Sequence, residues 1–403
     1  MTAASLLDPA QIDEPATLYR SLVASAPVWR VPGTSVVVVS SFAAVDEALR
    51  RPEDFSSNIR SILFRDEAGC PSTVPFGDAS LDVLATADPP IHTAHRRAVF
   101  PELVARRMAE LRPAIEQLAE ERLGLLLDEE HPEFMGAVGD AVPIRVISRL
   151  IGFADEDPEM LLAAAFDSTA MLAGTEPLDQ LMACMARTGE IFGWIGEQLD
   201  TAVTTGEADG ILSVVAAAVV DGTIERDAGL VMMHTLLSAG GESTTSLLGN
   251  AVHLLATRPD LQRSVRREPD LLEPFIEETL RLESPFRHHL RHAPRATQLG
   301  GVDIPAGSTV LLLWAAANRD PAEFDRPDDV VLDRSAPRHH LGFGRGLHFC
   351  VGAPLARLEA HAVLAGLLER TGWLELDPER RPQRVRSLMI RRFDSLHLRI
   401  TPV

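Results

Sequence analysis

One stretch limits the fold more than any other. From about Thr223 to Thr257 the residues read as a single helix, closed by Arg258-Pro259. At about 1.5 Å per residue it is ~50 Å long, enough to cross the whole molecule. Its middle reads Ala239-Gly240-Gly241-Glu242-Ser243-Thr244. Two mid-helix glycines cost about 1 kcal/mol each relative to Ala, so something must compensate. Close approach of the backbone to a flat cofactor would do so. Ser243 could also bond back to the Ala239 carbonyl and open the helix locally.

The remaining patterns are mostly helical. Apolar spacing is predominantly helical from about Ala43 to Thr257, for example in Ala105–Leu127 and Pro143–Ile151. Leu271–Leu282 reads as a helix with Pro274 in its first turn, stopped by Ser284-Pro285. A last helix starts just past Cys350 and runs to about Arg370. Val28–Arg30 and Ser35–Val39 flank Pro32-Gly33 and predict a β-hairpin. Thr309–Trp314, after Pro305-Ala306-Gly307, reads as a strand, and Leu388–Ile400 as a strand pair. No stretch of the 403 residues reads as a linker or repeat, which predicts one mainly α unit. Its helical part spans about residues 43–287 and 350–370. A minor β-rich part takes about 26–42, 288–314 and 374–401.

Composition removes several classes of function. A formal charge of −20 argues against a nucleic-acid partner and suits solubility. All 38 cationic side chains are Arg, a sign of GC-rich bacterial codon usage. Cys70, Cys184 and Cys350 form an odd, sparse set, as in a reducing compartment. The start MTAASLLDPAQIDEP has no signal-peptide pattern, and Ile211–Val220 is about half of the ~20 residues that span a bilayer. A cytoplasmic, membrane-free monomer is expected.

Cys350 lies in LGFGRGLHFCVGAPLARLE (Leu341–Glu359), a Gly-rich loop running directly into an apolar helix. Backbone N–H groups and the helix N-terminus stabilise an anion there, which predicts a thiolate. Gly346 and Gly352 permit the turns such a cradle needs. A lone cysteine in a loop is more often structural. The spacing Phe343-x-x-Gly346-x-x-x-Cys350-x-Gly352 argues otherwise, because it resembles the haem-ligand signature of the cytochrome P450 family. The resemblance implies a P450-type fold, haem b with Cys350 as axial iron ligand, and monooxygenase activity. It implies that His348 bonds a haem propionate and that Phe343, Gly344 and Gly352 line the cofactor. A thiolate on haem iron pushes electron density that favours O–O cleavage.

Three further patterns follow in the family's order. The Ala239–Thr244 segment resembles its oxygen-activation motif, an acid followed by an alcohol. Ala239 and Gly240 would then meet the haem, and Glu242, Ser243 and Thr244 would be catalytic. The family usually has Thr at the position of Ser243. Ser keeps the hydroxyl but loses the methyl that fixes its rotamer. Glu278 and Arg281 share a helical face at i, i+3. As the family's ExxR pair, joined by Arg334, they would be buried and would hold the cysteine loop. His92 and Arg96, at i, i+4 after Pro89-Pro90, share a face and could hold a propionate; Arg291 matches the family's propionate arginine. His95 reads as a surface histidine.

The resemblance covers about residue 10 to the C-terminus. It implies haem between the long helix and the Cys350 loop, with Glu242 and Ser243 relaying protons. It also implies electrons from NAD(P)H through a ferredoxin and its reductase, since 403 residues leave no room for a flavin domain. Arg106, Arg107, Arg338, Arg345 and Arg357 read as a basic patch for an acidic partner. By family position the pocket draws on Ser61–Phe64, Val74–Phe76, Leu236–Gly240, Phe286–His289 and Met389–Phe393. Leu236, Leu237, Phe286 and Ile390 suit a hydrophobic natural product, and Arg287 and His288 would anchor a polar group on it. A peroxygenase would replace the acid–alcohol pair, and a non-catalytic docking protein would lack the cysteine. Oxidative ring coupling and a haem-based sensor stay compatible with these residues.

Overall fold

The computed structural model describes residues 2–76, 82–153 and 157–403. Helices α1 (Pro9–Asp13) and α2 (Ala16–Ser25) precede the expected hairpin of β1 (Val28–Arg30) and β2 (Val36–Val39). Helix α3 (Phe42–Leu49) starts where Ser41 Oγ accepts the Ala44 N–H.

A second hairpin, β3 (Ser61–Arg65) with β4 (Pro71–Pro75), interrupts the stretch expected to be helical. Its turn explains the difference. Asp66 accepts the Ala68 and Cys70 N–H groups, and Gly69 takes φ +77°.

Seven helices then run through the described residues: α4 (Ile91–Val99), α5 (Ala105–Asp128), α6 (Ala141–Ile151), α7 (Pro158–Ala170), α8 (Leu178–Thr205), α9 (Gly210–Val220) and α10 (Arg226–Thr257). A π-helical turn, Met135–Gly139, leads into α6. The expected long helix is α10, 32 residues in length. Helices α11 (Pro259–Arg267) and α12 (Leu272–Leu282) follow it.

The chain next forms β5 (His289–His292), β6 (Thr297–Leu299), β7 (Val302–Ile304), β8 (Thr309–Leu312) and the short α13 (Trp314–Ala317). Trp314 therefore opens a helix rather than ending a strand. After the cysteine loop come α14 (Ala353–Arg370), β9 (Thr371–Leu376), β10 (Gln383–Arg384), β11 (Phe393–Ser395) and β12 (Leu398–Pro402).

The main sheet has the order β1-β2-β8-β5, with β2 and β8 parallel and the other pairs antiparallel. Its inner strands, VVVV and TVLL, are buried throughout, as central strands covered on both faces should be. The C-terminal strands do not pair with each other as expected. β11 pairs with β10, and β12 with β9. No single helix among the described residues is long and apolar enough to cross a membrane.

α10 runs through the middle of the largest core, against α6, α7, α8 and α14. Its two glycines admit close packing of a neighbouring helix. A Cβ on Gly240 would lie 2.6 Å from Ile147 Cγ1, and one on Gly241 3.2 Å from Ile144 Cδ1. Both neighbours belong to α6, so close helix–helix approach offsets the propensity cost. Gly240→Ala gains up to ~1 kcal/mol of helix propensity but overpacks the α6 contact at about 1–3 kcal/mol. Denaturant unfolding should show net destabilisation in the wild-type background, and none when Gly240→Ala is added to Ile147→Ala.

Candidate active site

Cys350 sits where the glycine loop turns into α14. Its N–H donates to the Phe343 carbonyl at 2.9 Å, closing a hairpin in which Gly344 and Gly346 adopt φ +66° and +69°. A Cβ at Gly352 would stand 3.8 Å from Cys350 Sγ, in ordinary contact. The cysteine is exposed, as are Leu347 and Phe349 beside it. The surrounding protein still desolvates the sulfur enough to push its pKa up. The Gly352 and Ala353 amides, then Arg96 and Arg357, pull it back only in part.

A set of nitrogen donors lies beside the cysteine loop. On α4, His92 packs at a tilt against His348, with ring centroids 4.2 Å apart. Arg96 Nη1 donates to the Phe349 carbonyl at 2.9 Å, tying α4 to the loop. His348 Nε2 meets Ser57 Oγ at 2.9 Å. Burial and then the nearby cations push His348 down to about 3, so its ring is neutral at pH 7. Burial also lowers His92, whose Nδ1 is sealed from solvent without a partner.

Arg291, on β5, is buried and donates only to the Leu290 carbonyl, at 2.8 Å. Burial holds its guanidinium down to about 10, with Asp88 opposing. A buried cation with no carboxylate in contact among the described residues calls for an anion. His289 adds a donor that needs Trp314 to become visible. Trp314 Nε1 donates to His289 Nδ1 at 2.6 Å, which leaves the neutral ring its proton on Nε2. His95, read as a surface residue, is buried and accepts the Leu84 N–H at 3.3 Å.

Behind the loop, Glu278 and Arg281 form a two-pronged ion pair at 2.7 and 2.9 Å, with side chains 0% and 1% exposed. Arg334 Nε adds a bond to Glu278 at 2.8 Å. Arg281 also donates to the carbonyls of Asn318, Pro327 and Asp329. Asn318 Oδ1 in turn accepts the Leu341 N–H at 2.7 Å, at the start of the cysteine loop.

On α10, Ser243 Oγ donates to the Ala239 carbonyl at 2.6 Å, the back-bond expected from sequence. Ala239 is exposed although most of the helix around it is buried. Thr244 is buried within the core. Glu242 is buried as well, held by Arg392 Nε at 2.9 Å and by the Thr169 hydroxyl. Burial raises its pKa against the pull of Arg392. Neither partner was found from sequence, and only the unusual Arg391-Arg392 in an apolar run could have pointed to one.

Two expectations fail. Arg287 does not face the pocket: its Nη1 donates to the Ile12 carbonyl at 2.8 Å, beneath the N-terminal helices. The five arginines read as a basic patch are each matched by carboxylates. Arg357, for instance, grips Glu277 at 2.6 and 2.9 Å. Of the remaining pocket candidates, Leu236, Leu237 and His288 are buried, and Phe286 bridges Ile390.

Haem is a flat apolar ring with one metal and two carboxylates, and the residues present fit it. A thiol can take the metal. Arg291, the orphaned His92 Nδ1 and the neutral rings of His348 and His289 can take the carboxylates. A site of this kind in a helical fold marks a haem-thiolate protein.

Comparison with known proteins agrees. The family model for Cytochrome P450 matches residues 194–392. "Cytochrome P450 144" of Mycobacterium tuberculosis is 41% identical over 401 residues, covering 96% of this chain and 89% of the relative. "Vitamin D(3) 25-hydroxylase" of Pseudonocardia autotrophica is 32% identical, covering 88% and 85%. The crystal structure of CYP109E1 from Bacillus megaterium with testosterone superposes with a TM-score of 0.87 at 27% identity, covering 97% and 99%. The chain belongs to the cytochrome P450 family, and it is a haem-dependent monooxygenase.

Two variants probe this site. Cys350→Ser should lose the thiolate signature of the reduced carbon monoxide complex; its retention would move the ligand to Cys70 or Cys184. Glu278→Ala strands a buried guanidinium and should cost about 3–5 kcal/mol in denaturant unfolding, with loss of haem.

Proposed function

We propose that this enzyme inserts one oxygen atom from O2 into a hydrophobic natural product that carries a polar group. Electrons come from NAD(P)H through a ferredoxin and its reductase, in the bacterial cytoplasm and in secondary metabolism. In this reading Cys350 ligates the haem iron. His92, Arg96, Arg291 and His348 hold the propionates, while Phe343, Gly344 and Gly352 shape the loop beneath the ring. Glu278, Arg281 and Arg334 fix the segment that carries that loop. Bound there, haem supplies the activation of O2. Glu242 and Ser243 supply protons: the Ser243 Oγ lone pairs can accept a proton from the Glu242 side once its own O–H turns from the Ala239 carbonyl and is passed on.

The substrate class rests on one observation. His288 is fully buried beside the Phe286–Ile390 bridge, and both its ring nitrogens lack a partner. Burial pushes it down to about 3, so it is a neutral donor and acceptor. A buried ring with both nitrogens open suits a substrate hydroxyl or carbonyl. The polar anchor thus passes from Arg287 to His288. Two comparisons support an apolar polycycle bearing few oxygens: one relative is named for hydroxylating vitamin D(3), and CYP109E1 was crystallised with testosterone.

Testosterone and androstane, titrated for the low- to high-spin shift, test the anchor. Wild type should prefer testosterone by up to about tenfold, the worth of one buried hydrogen bond. His288→Leu should erase that preference, and an unchanged preference overturns the anchor. Ser243→Ala should keep haem and ligand binding but raise the fraction of NADPH recovered as peroxide. An unchanged fraction assigns the relay to Glu242 and Thr244 without Ser243.

A further inference from the structure

Between α6, α7, α10 and the C-terminal segment lies a charged cluster that the reaction uses so far only at its inner end. Glu242 is gripped there by Thr169 and by Arg392. Arg392 Nη1 also reaches Asp394 at 3.9 Å, and that carboxylate is 64% exposed. Asp140 interacts with the same guanidinium from the start of α6.

The position of Asp140 is fixed by backbone contacts. Its N–H donates to the Met135 carbonyl at 2.7 Å. The carbonyl of Gly139, its neighbour, accepts the hydroxyl of Thr245, one turn along α10 from Glu242, at 2.9 Å. The residue as a whole is half-buried, so it reaches solvent. Its Oδ1, however, is sealed and has no partner. Helix capping does not account for the carboxyl, because the side chain makes no cap bond to α6. A sealed carboxylate oxygen without a donor is costly as an anion, which leaves this group ready to carry a proton.

We propose that Asp140 is the outer station of a proton route that passes along the Arg392 cluster to Glu242 and then Ser243. The proposal rests on the reading of Glu242 and Ser243 as the proton relay. Oxygenation consumes two electrons and two protons, O2 + RH + 2e− + 2H+ giving ROH + H2O. Reduction of O2 to peroxide without substrate consumes the same two protons. Asp140 gives a proton inward, water carries it across to Glu242, and Asp140 regains one from bulk solvent. Arg392 holds the Glu242 carboxyl group in place.

The groups facing Asp140 are Arg392, Glu133, Asp394 and Glu242, with Arg122 of α5 donating to the nearby Ala137 carbonyl at 2.7 Å. Burial is the strongest influence and lifts the carboxyl to about 7. Arg392 opposes it, and the three carboxylates reinforce it. The group therefore exchanges protons at neutral pH, and as a donor it falls silent as pH rises past about 7.

The test uses the holoenzyme with a plant-type ferredoxin and its NADPH-dependent reductase in excess. NADPH consumption is followed in H2O and D2O across neutral pH, and carboxyl bands are titrated by infrared difference spectroscopy. Wild type should lose a protonated-carboxyl band as pH rises through about 7, and consumption should fall over the same range. Asp140→Asn should keep the thiolate–carbon monoxide spectrum, lose that band and that limb, and at least double the solvent isotope effect. Asp140→Glu should restore both. If the band, the pH profile and the isotope effect survive in Asp140→Asn, the proposal falls. Glu242→Gln separates the two readings. When it slows consumption and Asp140→Asn does not, only the outer station is wrong; when neither does, the relay itself is wrong.

Discussion

The rest of the site depends on the buried pair Glu278–Arg281. Two charges taken fully out of water are expensive, and their attraction repays this only when every remaining donor and acceptor is satisfied. Here they are. Glu278 receives Arg281, Arg334 and the Val331 N–H, and Arg281 spends its other donors on three backbone carbonyls between residues 318 and 329. Those carbonyls belong to an irregular stretch with no ladder of its own. The ion pair thus takes over the work of secondary structure there. Through Asn318 it reaches Leu341, and so the loop that presents Cys350.

The opposite wall is organised by α10, whose faces do different work. Gly240 and Gly241 let α6 approach, while Ala239 and Ser243 leave part of the helix's middle uncovered. The acid between them turns away into the core and is held by an arginine from the far end of the chain. Charge in this protein is distributed on the same plan. Arg291, beside the cysteine loop, is buried without a carboxylate in contact among the described residues, whereas Arg107 and Arg357 are each paired with one.

Much of this was legible in the sequence, where the signal was local. The Cys350 spacing, the i, i+3 pair Glu278–Arg281 and the back-bond of Ser243 each lie within one turn or one loop. The mainly helical fold followed from periodicity. What escaped notice depends on distance or direction. Glu242 meets Arg392 across 150 residues and Thr169 across 73, and no periodicity spans such gaps. The spacing of Gly240 and Gly241 announces a close approach but not from which side. Arg287 lies where the chain runs irregularly between α12 and β5, so strand alternation could not tell which way it points. The arginines of the expected patch meet carboxylates that only the fold brings to them, as Glu277 comes to Arg357 across 80 residues.

Segments far apart in the sequence are clasped to each other, and that orders the steps in which they can be anchored. β2 lies parallel to β8, Arg287 and Arg391 clasp the carbonyls of Ile12 and Asp13, and Arg386 meets the Asp13 carboxylate at 3.2 Å. Residues 12–39 therefore gain their partners in two steps. Arg287 and β8 supply the first, closing on Ile12 and β2, and Arg386 and Arg391 add the second at Asp13. The helical middle can collapse on its own contacts before either step. A chain cut between residues 312 and 386 would keep the first clasp and lose the second.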